Sequence, residues 1–314
     1  MMKRFVLLAL SLWLAACTQT NEVVEQISVS FQNLPALQNA YYEVWVTFYQ
    51  FNAPPGGDSP THEGEYVSIG TFTVAADGSL RNLSGGAPNL RLPNGVNTQL
   101  LKDIVVSVQT EPTEQPQAIL MGGAFYGDAV DARADLDIAY SDAFGTDFAR
   151  AGGVCSIVAP TSPPDSNSGV WFVQLGTSVG AGLTNLPALR TGWRYEGWVI
   201  RRRPGAEESY LSTGKFTRAD SADLDGPGPF AGTAGQPFNF PGQDFVQGAG
   251  AISDLRTGEY SFMVTLEPFP DNTAEPFFLT LLKSPEPATT ASRTVTLANA
   301  INATAPRGKI VIQR

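Results

Sequence analysis

Two short motifs have the spacing of nucleophilic active sites. Residues 176–180 (G-T-S-V-G) match the turn that carries the serine of many hydrolases, and residues 212–215 (S-T-G-K) match a serine–lysine pattern. The first motif requires a helix after it and a histidine further along, but turn-prone residues follow it and the only histidine, His62, precedes it. The second motif lacks the companion motifs of its enzymes. We therefore predict no catalytic residue and no enzymatic activity.

Two acidic clusters supply the oxygen ligands that calcium prefers. Both are predicted to lie in loops, and neither has the spacing of an EF-hand; they are Asp128, Asp131, Asp135 and Asp137, and Asp220, Asp223 and Asp225. We take Asp220, Asp223 and Asp225 as the candidate calcium site, with a solvated acidic loop as the alternative. A zinc or copper site has almost no ligand supply in a chain with one histidine and two cysteines.

An acidic residue lies two positions before a tryptophan in two predicted strands. The pairs are Glu43 with Trp45 and Glu196 with Trp198. Residues two apart point to the same face of a sheet, so each pair could line a binding groove. Alternatively, each tryptophan packs in the core, and water or an arginine satisfies the glutamate near the end of its strand.

The N-terminal residues predict export and lipidation. A basic start precedes an apolar run at residues 5–14, and Leu14-Ala15-Ala16-Cys17 follows. As a helix this run spans roughly 15 Å, about half of a bilayer core, which indicates a cleaved signal peptide at residues 1–16 rather than a membrane span. The small residues before Cys17 resemble the signature of bacterial lipoproteins. That resemblance implies a diacylglycerol and often an added acyl chain on Cys17.

The predicted lipid fixes the expected location of the protein. Two or more acyl chains give stable anchoring, so residues 17–25 would form a lipidated tether in the bacterial cell envelope, outside the cytoplasm. Thr18 after the cysteine resembles lipoproteins that are sent to the outer membrane of two-membrane bacteria. The eight residues from Thr18 to Glu25 reach at most about 28 Å, which keeps the first domain near the bilayer.

The composition indicates an exported, folded, β-rich body. The chain has 314 residues, of which 43% are hydrophobic, 31 are Gly and 23 are Pro. Its formal net charge of −10 argues against nucleic acid as a partner. Apart from the lipid on Cys17 we predict no cofactor. Once Cys17 is acylated, Cys155 is the only remaining thiol, and we expect it to be buried.

The sequence contains an internal duplication. Residues 33–37 recur letter for letter at 185–189, and residues 42–45, 66–72 and 108–112 have weaker counterparts at 195–198, 210–216 and 265–268. The offsets of 152, 153, 144 and 156 residues differ, as expected when insertions fall in surface loops. We will call the two versions the first and second copy.

The duplicated blocks have the pattern of β-strands. They are rich in β-branched and aromatic residues and are bounded by Gly, Pro, Asn and Asp, and no window predicts a long amphipathic helix. The predicted fold class is all-β: two tandem β-sandwich, immunoglobulin-like domains at residues 26–160 and 161–314. The boundary falls between residues 128 and 169, and residues 162–169 form either a linker or a hairpin loop. The predicted strands are residues 27–31, 42–48, 67–74, 104–110, 118–126, 154–159, 170–175, 194–201, 210–218, 260–267 and 277–283.

The strand cores resemble a known family. Residues 42–46 (Y-E-V-W-V), 67–72 (V-S-I-G-T-F), Asp77-Gly78 and the strand that ends in Glu111-Pro112 are similar to the extracytoplasmic domain of bacterial anti-sigma-K factors. The second copy carries a weaker version. The resemblance implies an envelope sensor-like or interaction module, separated from the helical domain that holds a sigma factor.

These observations predict a lipid-anchored envelope protein that acts by binding. Its partner would be an envelope protein or a glycan, and its N-terminal lipid would attach it to the membrane. One alternative is an envelope enzyme that acts on glycan or peptide through carboxylates in a cleft between the domains. Another is an accessory of envelope stress signalling through anti-sigma factors.

Overall fold

The protein is almost entirely β-structure. The computed structural model describes residues 26–49, 65–93, 98–128, 130–162, 167–248, 250–271 and 273–313, and 42% of the chain is in strands against 3% in helices. This confirms the predicted all-β, sandwich-type fold. The predicted signal peptide, Cys17, the tether and His62 lie outside the described residues.

Within the described residues the strands are joined by turns and loops of different lengths, with a single 3₁₀ turn at Thr98–Leu100 and a four-residue helix α1 at Ile301–Thr304. In chain order they are β1 (Gln26–Gln32), β2 (Tyr41–Phe48), β3 (Val67–Val74), β4 (Leu80–Arg81), β5 (Leu101–Gln109), β6 (Ala118–Ala124), β7 (Tyr126–Gly127), β8 (Asp131–Leu136), β9 (Gly152–Ile157), β10 (Gly169–Trp171), β11 (Val173–Gln174), β12 (Gly180–Ala181), β13 (Leu183–Thr184), β14 (Trp193–Arg201), β15 (Ser209–Phe216), β16 (Gly242–Asp244), β17 (Tyr260–Pro268), β18 (Thr280–Lys283), β19 (Thr294–Asn299) and β20 (Arg307–Gln313).

The first copy forms a five-stranded antiparallel sheet in the order β4-β3-β2-β5-β6. A four-stranded sheet in the order β1-β20-β8-β7 packs on it. Phe31 of β1 stacks on Phe72 of β3 with ring centroids 5.3 Å apart, and Ala134 and Ile310 are completely buried in the same hydrophobic cluster. The C-terminal strand β20 therefore completes the sandwich that begins at β1.

The second copy belongs to a nine-stranded sheet. Its main path runs β15-β14-β17-β18-β19-β9-β10-β16, and β13 also pairs with β9. Phe172, after β10, lies 6.1 Å from Phe216 of β15, so the two ends of this path face each other. The four strands β15-β14-β17-β18 repeat the order β3-β2-β5-β6 of the first copy.

Strand pairing joins the two segments that the sequence predicted as domains. Strand β9 pairs with β19, and β20 pairs with both β1 and β8. The hydrophobic core is continuous across the segments, and the indole of Trp193 donates to the carbonyl of Ile119 at 3.0 Å. Strands β9 and β10, which flank residues 162–169, pair antiparallel, so that segment connects two strands of one sheet. Residues 163–166 are outside the described part, and the boundary at 160/161 stays a prediction.

The internal duplication is confirmed in detail. The hydroxyl of Tyr42 donates to the carbonyl of Pro35 at 2.9 Å, and that of Tyr195 donates to Pro187 at 2.7 Å. Both copies have a β-bulge at the same place, between Val44 and Trp45 in one and between Glu196 and Trp198 in the other. Asn33 and Asn185, which begin the repeated segments, both have φ of 55°, the left-handed conformation that Asn tolerates.

One offset of the duplication was wrong. Glu43 lies opposite Ser107 and Glu196 lies opposite Thr265, which makes Ser107 and Thr265 equivalent at an offset of 158 rather than 156. Gln109 therefore corresponds to Glu267, and the two Glu-Pro pairs are not equivalent. The match rested on a few similar residues and placed the block two residues out of register. In a strand, a shift of two residues keeps each side chain on the same face of the sheet but changes its cross-strand neighbours.

The acidic stretch after residue 128 was wrongly predicted to be a loop. Residues 131–136 form β8, with Ala132, Ala134 and Leu136 buried and the charged side chains between them directed outward. Alanine contributes little to a hydrophobic pattern, which explains why the alternation was missed. The predicted strand at residues 277–283 is also shorter, and begins only at Thr280.

Candidate functional site

The first candidate pair, Glu43 and Trp45, is buried and hydrogen-bonded within the protein. Glu43 is 7% exposed and accepts from the hydroxyl of Ser68 at 2.5 Å. Trp45 is 2% exposed and donates its indole N–H to the hydroxyl of Ser107 at 2.9 Å. Burial raises the pKa of Glu43, while hydrogen bonds from Ser68 and Gln109 oppose the rise.

The second pair repeats this arrangement and adds a cation. Glu196, 3% exposed, accepts from Ser212 at 2.5 Å and from Nζ of Lys215 at 2.5 Å. Trp198 donates to the hydroxyl of Thr265 at 2.8 Å and packs in a small second cluster with Ile200 and Met263. Burial raises the pKa of Glu196, and the contacts with Lys215 and Ser212 counteract it. All four predicted binding residues thus contact protein atoms, and the fold gives them a structural role.

A third buried carboxyl, Glu267, was not singled out from the sequence. It is completely buried, and its Oε1 accepts from the backbone N–H of Phe277 at 2.9 Å and from the hydroxyl of Thr265. Burial raises the pKa of Glu267 to about 8, and the nearby carboxylate of Glu196 adds to the rise. The contact with Phe277 fastens the loop between β17 and β18 to the sheet.

The candidate calcium residues are only partly brought together. The carboxyl groups of Asp223 and Asp225 lie over Gly214, where a Cβ would come within 2.2 Å of one oxygen of Asp225. Asp223 accepts from the N–H of Gly242 at 2.8 Å, and burial raises its pKa to about 7. Asp220 instead pairs with Arg218 at 2.8 Å. No group of three or more His, Cys, Asp or Glu residues in the described part of the chain could hold a metal ion, so the calcium site is not assembled there.

The other motifs also have structural roles. Residues 176–180 connect the short hairpin strands β11 and β12 rather than a strand and a helix. Ser212 and Lys215 of the serine–lysine motif are both engaged with the carboxylate of Glu196. Cys155 is free and completely buried, as predicted, and burial raises the pKa of its thiol.

A groove with a volume of about 560 Å³ lies between the two copies. One wall comes from the segment before β2 and the end of β5 in the first copy, and the other from the loop after β17 in the second. Its apolar lining consists mainly of proline, aliphatic and phenylalanine side chains: Pro35, Leu37, Ala40, Val108, Pro268, Pro270, Pro276, Phe277 and Phe278.

The groove carries negative charge and no positive charge among its lining residues. Its two ionisable side chains are Asp271 and Glu275. Asp271 accepts from the backbone N–H of Thr273 at 2.9 Å, and Glu275 accepts from the amide of Gln38 at 3.4 Å, across the two copies. The loop that supplies both carboxylates is held by the buried contact between Glu267 and Phe277.

Sequence reasoning missed this groove. Its strongest local signal was the run P-F-P-D-N-T-A-E-P-F-F at residues 268–278, in which acidic and aromatic residues alternate with prolines. The prediction of a strand from residue 277 assigned the end of this run to a sheet, so the run was not recognised as one loop. A second hollow, also of about 560 Å³, lies near Asn185 and Pro187, so the repeated N-L-P segment borders a depression in each copy.

Comparisons with known proteins add no relative. No protein-family model matches the chain, and neither a curated protein nor a solved structure does. The resemblance to anti-sigma-K factors therefore stays a prediction. Among the described residues, no helix has both the length and the apolar character needed to cross a membrane. The fold and site define a duplicated all-β protein with an acidic, proline-lined groove between its copies.

Proposed function

We propose that this protein is a non-catalytic binding module of the bacterial cell envelope, held outside the cytoplasm by lipid on Cys17, whose ligand occupies the groove between the copies. The observation that carries the proposal is the joint origin of the groove, because its walls come from both copies. Concave, mostly apolar sites with a few polar groups are the usual form of ligand sites.

The chemistry of the groove favours a basic peptide segment of a partner protein. Prolines and Phe277 and Phe278 offer apolar surface for side chains, while Asp271 and Glu275 offer charge for lysine or arginine. The buried glutamates Glu43, Glu196 and Glu267 do not line the groove. A binding role uses the groove without requiring any of them to react.

Binding can be tested with three labelled peptides that share the same apolar residues but carry lysines, glutamates or serines. We expect the lysine peptide to bind the full chain most tightly. Glu275→Gln and Asp271→Asn should each weaken it roughly two- to fivefold, the usual effect of an exposed charge pair. Glu207→Gln, an exposed carboxylate remote in sequence from the groove loop, is the matched control and should change nothing. Equal binding of all three peptides would contradict the proposed specificity.

The lipid anchor has a separate test. Cys17→Ser removes the thiol that the lipid would occupy, and we expect the variant to leave the membrane fraction of expressing cells. Cys155→Ser is the control, because that thiol is buried in the core and should not affect fractionation. Membrane association that survives Cys17→Ser would show that another feature anchors the chain.

An envelope enzyme remains the second candidate, since two carboxylates line a cleft between the copies. If the two carboxylates act as a catalytic acid and base, neutralising one of them should reduce the reaction rate far more than it reduces ligand affinity. Cleavage of envelope peptides or glycans by the wild type, abolished by Asp271→Asn or Glu275→Gln, would favour it over the binding module.

A further inference from the structure

Strand β1 is an outer strand of its sheet, and no other described strand pairs with its free edge. It pairs with β20 on one side only, over seven consecutive residues without a bulge. No backbone hydrogen bond with a described residue occupies its other side. An edge of this length presents alternating N–H and C=O groups that can pair with another strand.

The other outer strands within the described residues are short or are contacted at a point along their edge by another segment. Strands β4 and β7 have two residues each and β16 has three. The edge of β6 is bridged by hydrogen bonds between Gly122 and Asp137, and β15 receives the N–H of Leu224 on the carbonyl of Lys215. By contrast β1, with the sequence Q-I-S-V-S-F-Q, has no charged residue and no proline, which are the usual means of blocking an edge.

The sequence of β1 is complementary to itself. In an antiparallel pair centred on Val29, Ile27 lies opposite Phe31 of the other copy, Ser28 opposite Ser30, and Gln26 opposite Gln32. Every apolar side chain then meets an apolar one and every polar side chain a polar one. Because the residue at the centre faces itself, the pairing has the two-fold symmetry of a closed homodimer.

The burial of β1 is compatible with this pairing. Its residues alternate between exposed and partly buried, with Ile27, Val29 and Phe31 packed against the core and the serines and glutamines exposed. Phe31 is already fixed by its stack on Phe72. The partner strand would therefore meet an ordered edge and would cover the parts of these side chains that remain exposed.

We propose that two copies of this chain pair antiparallel through β1, centred on Val29, to join their four-stranded sheets into one eight-stranded sheet. Among the described residues, the neighbouring strand β20 carries two charged side chains, Arg307 and Lys309. In the dimer, the two β1 strands would lie between the β20 strands of the two copies. Lys309 of one copy would then be about three strand spacings, roughly 14 Å, from Lys309 of the other, which exceeds the screening length at physiological salt. The local repulsion is therefore small although each chain carries a net charge of −10.

Charge variants on the exposed serines test the pairing without disturbing the core. The wild-type full chain should sediment with twice the mass of one chain, and Ser28→Lys/Ser30→Lys should raise the dimer dissociation constant by more than about tenfold, because lysines would face lysines. Ser28→Glu/Ser30→Glu should do the same. An equimolar mixture of the two variants should recover a dimer, which excludes misfolding as the cause. Ser84→Lys/Ser253→Lys adds equal charge at exposed positions elsewhere and should leave the dimer intact.

A cysteine scan tests the register. In a Cys17→Ser background, Val29→Cys should form an intermolecular disulfide under oxidation and Gln26→Cys should not, because only residue 29 faces its own copy. A dimer that tolerates both Ser28→Lys/Ser30→Lys and Ser28→Glu/Ser30→Glu would overturn the proposal. A monomeric wild type would also overturn it.

Discussion

Trp193→Ala is expected to lower the free energy of unfolding by about 3–5 kcal/mol, the usual cost of removing a buried tryptophan side chain. Trp193 is completely buried at the start of β14. Its ring lies 4.7 Å from that of Phe144 and 5.8 Å from that of Phe277, and its indole N–H is donated to Ile119 of the first copy. The substitution leaves a cavity between the copies and also removes the donor to the carbonyl of Ile119.

Urea unfolding followed by circular dichroism measures this loss. Trp193→Phe keeps a ring but removes the N–H, so it should cost less than Trp193→Ala. Leu224→Ala is the matched control, because Leu224 is 64% exposed and its truncation should change stability by no more than about 0.5 kcal/mol. A Trp193→Ala protein within about 1 kcal/mol of the wild type would show that the contact between the copies is dispensable.

Glu267→Gln is expected to remove a pH-dependent loss of stability. The pKa of Glu267 is raised by burial from 4.5 to about 8, so between these values the folded protein binds a proton that the unfolded chain has released. The free energy of unfolding must then fall as pH rises through this window and level off above it. Each pH unit contributes up to about 1.4 kcal/mol, which gives roughly 2–3 kcal/mol between pH 5 and pH 7.

The measurement is the difference in unfolding free energy between the variant and the wild type across pH 4.5 to 9. This difference isolates Glu267 from other carboxyls with a raised pKa, such as Glu196 and Asp223. Glutamine keeps a carbonyl oxygen that can accept from the N–H of Phe277 and from the hydroxyl of Thr265, so the two proteins should be similar near pH 4.5. Above pH 8 the variant should be the more stable.

The first copy supplies a reciprocal control. Gln109 is the completely buried equivalent of Glu267, and its amide donates to Thr113 at 3.1 Å. Gln109→Glu should introduce the same fall in stability with rising pH that Glu267→Gln removes. A flat difference curve for Glu267→Gln would mean that the carboxyl of Glu267 titrates at its ordinary pKa and that its burial is relieved by opening of the loop.

Much of the local structure could be predicted from single residues and their spacing. The alternation at residues 27–31 predicted β1, and the repeated blocks predicted β2, β3, β14, β15 and β17 with ends within two residues of those observed. These strands carry β-branched and aromatic side chains on buried faces, so their pattern is strong. The identity of Asn33 and Asn185 likewise marked equivalent turns with the same φ.

The candidate sites were less predictable, because a sequence pattern gives the face of a residue but not what covers that face. Glu43 and Trp45 do share neighbours, yet Ser68 and Ser107 come from other strands and close around them. Asp223 and Asp225 meet over Gly214, while Asp220 is bound by Arg218. Ser68 and Ser107 are distant in sequence from the pair they contact, whereas Arg218 is only two residues from Asp220 and draws it away from the other two carboxylates.

The sequence by itself determined the β class, the duplication and the residues that face inward, because these depend on side-chain size and on a two-residue period. Only the tertiary structure decided that β20 returns to pair with β1, that Glu267 corresponds to Gln109, and that a groove forms between residues 35–40 and the loop after β17. Pairing of distant strands depends on the packing of the whole chain, and no short segment carries that information.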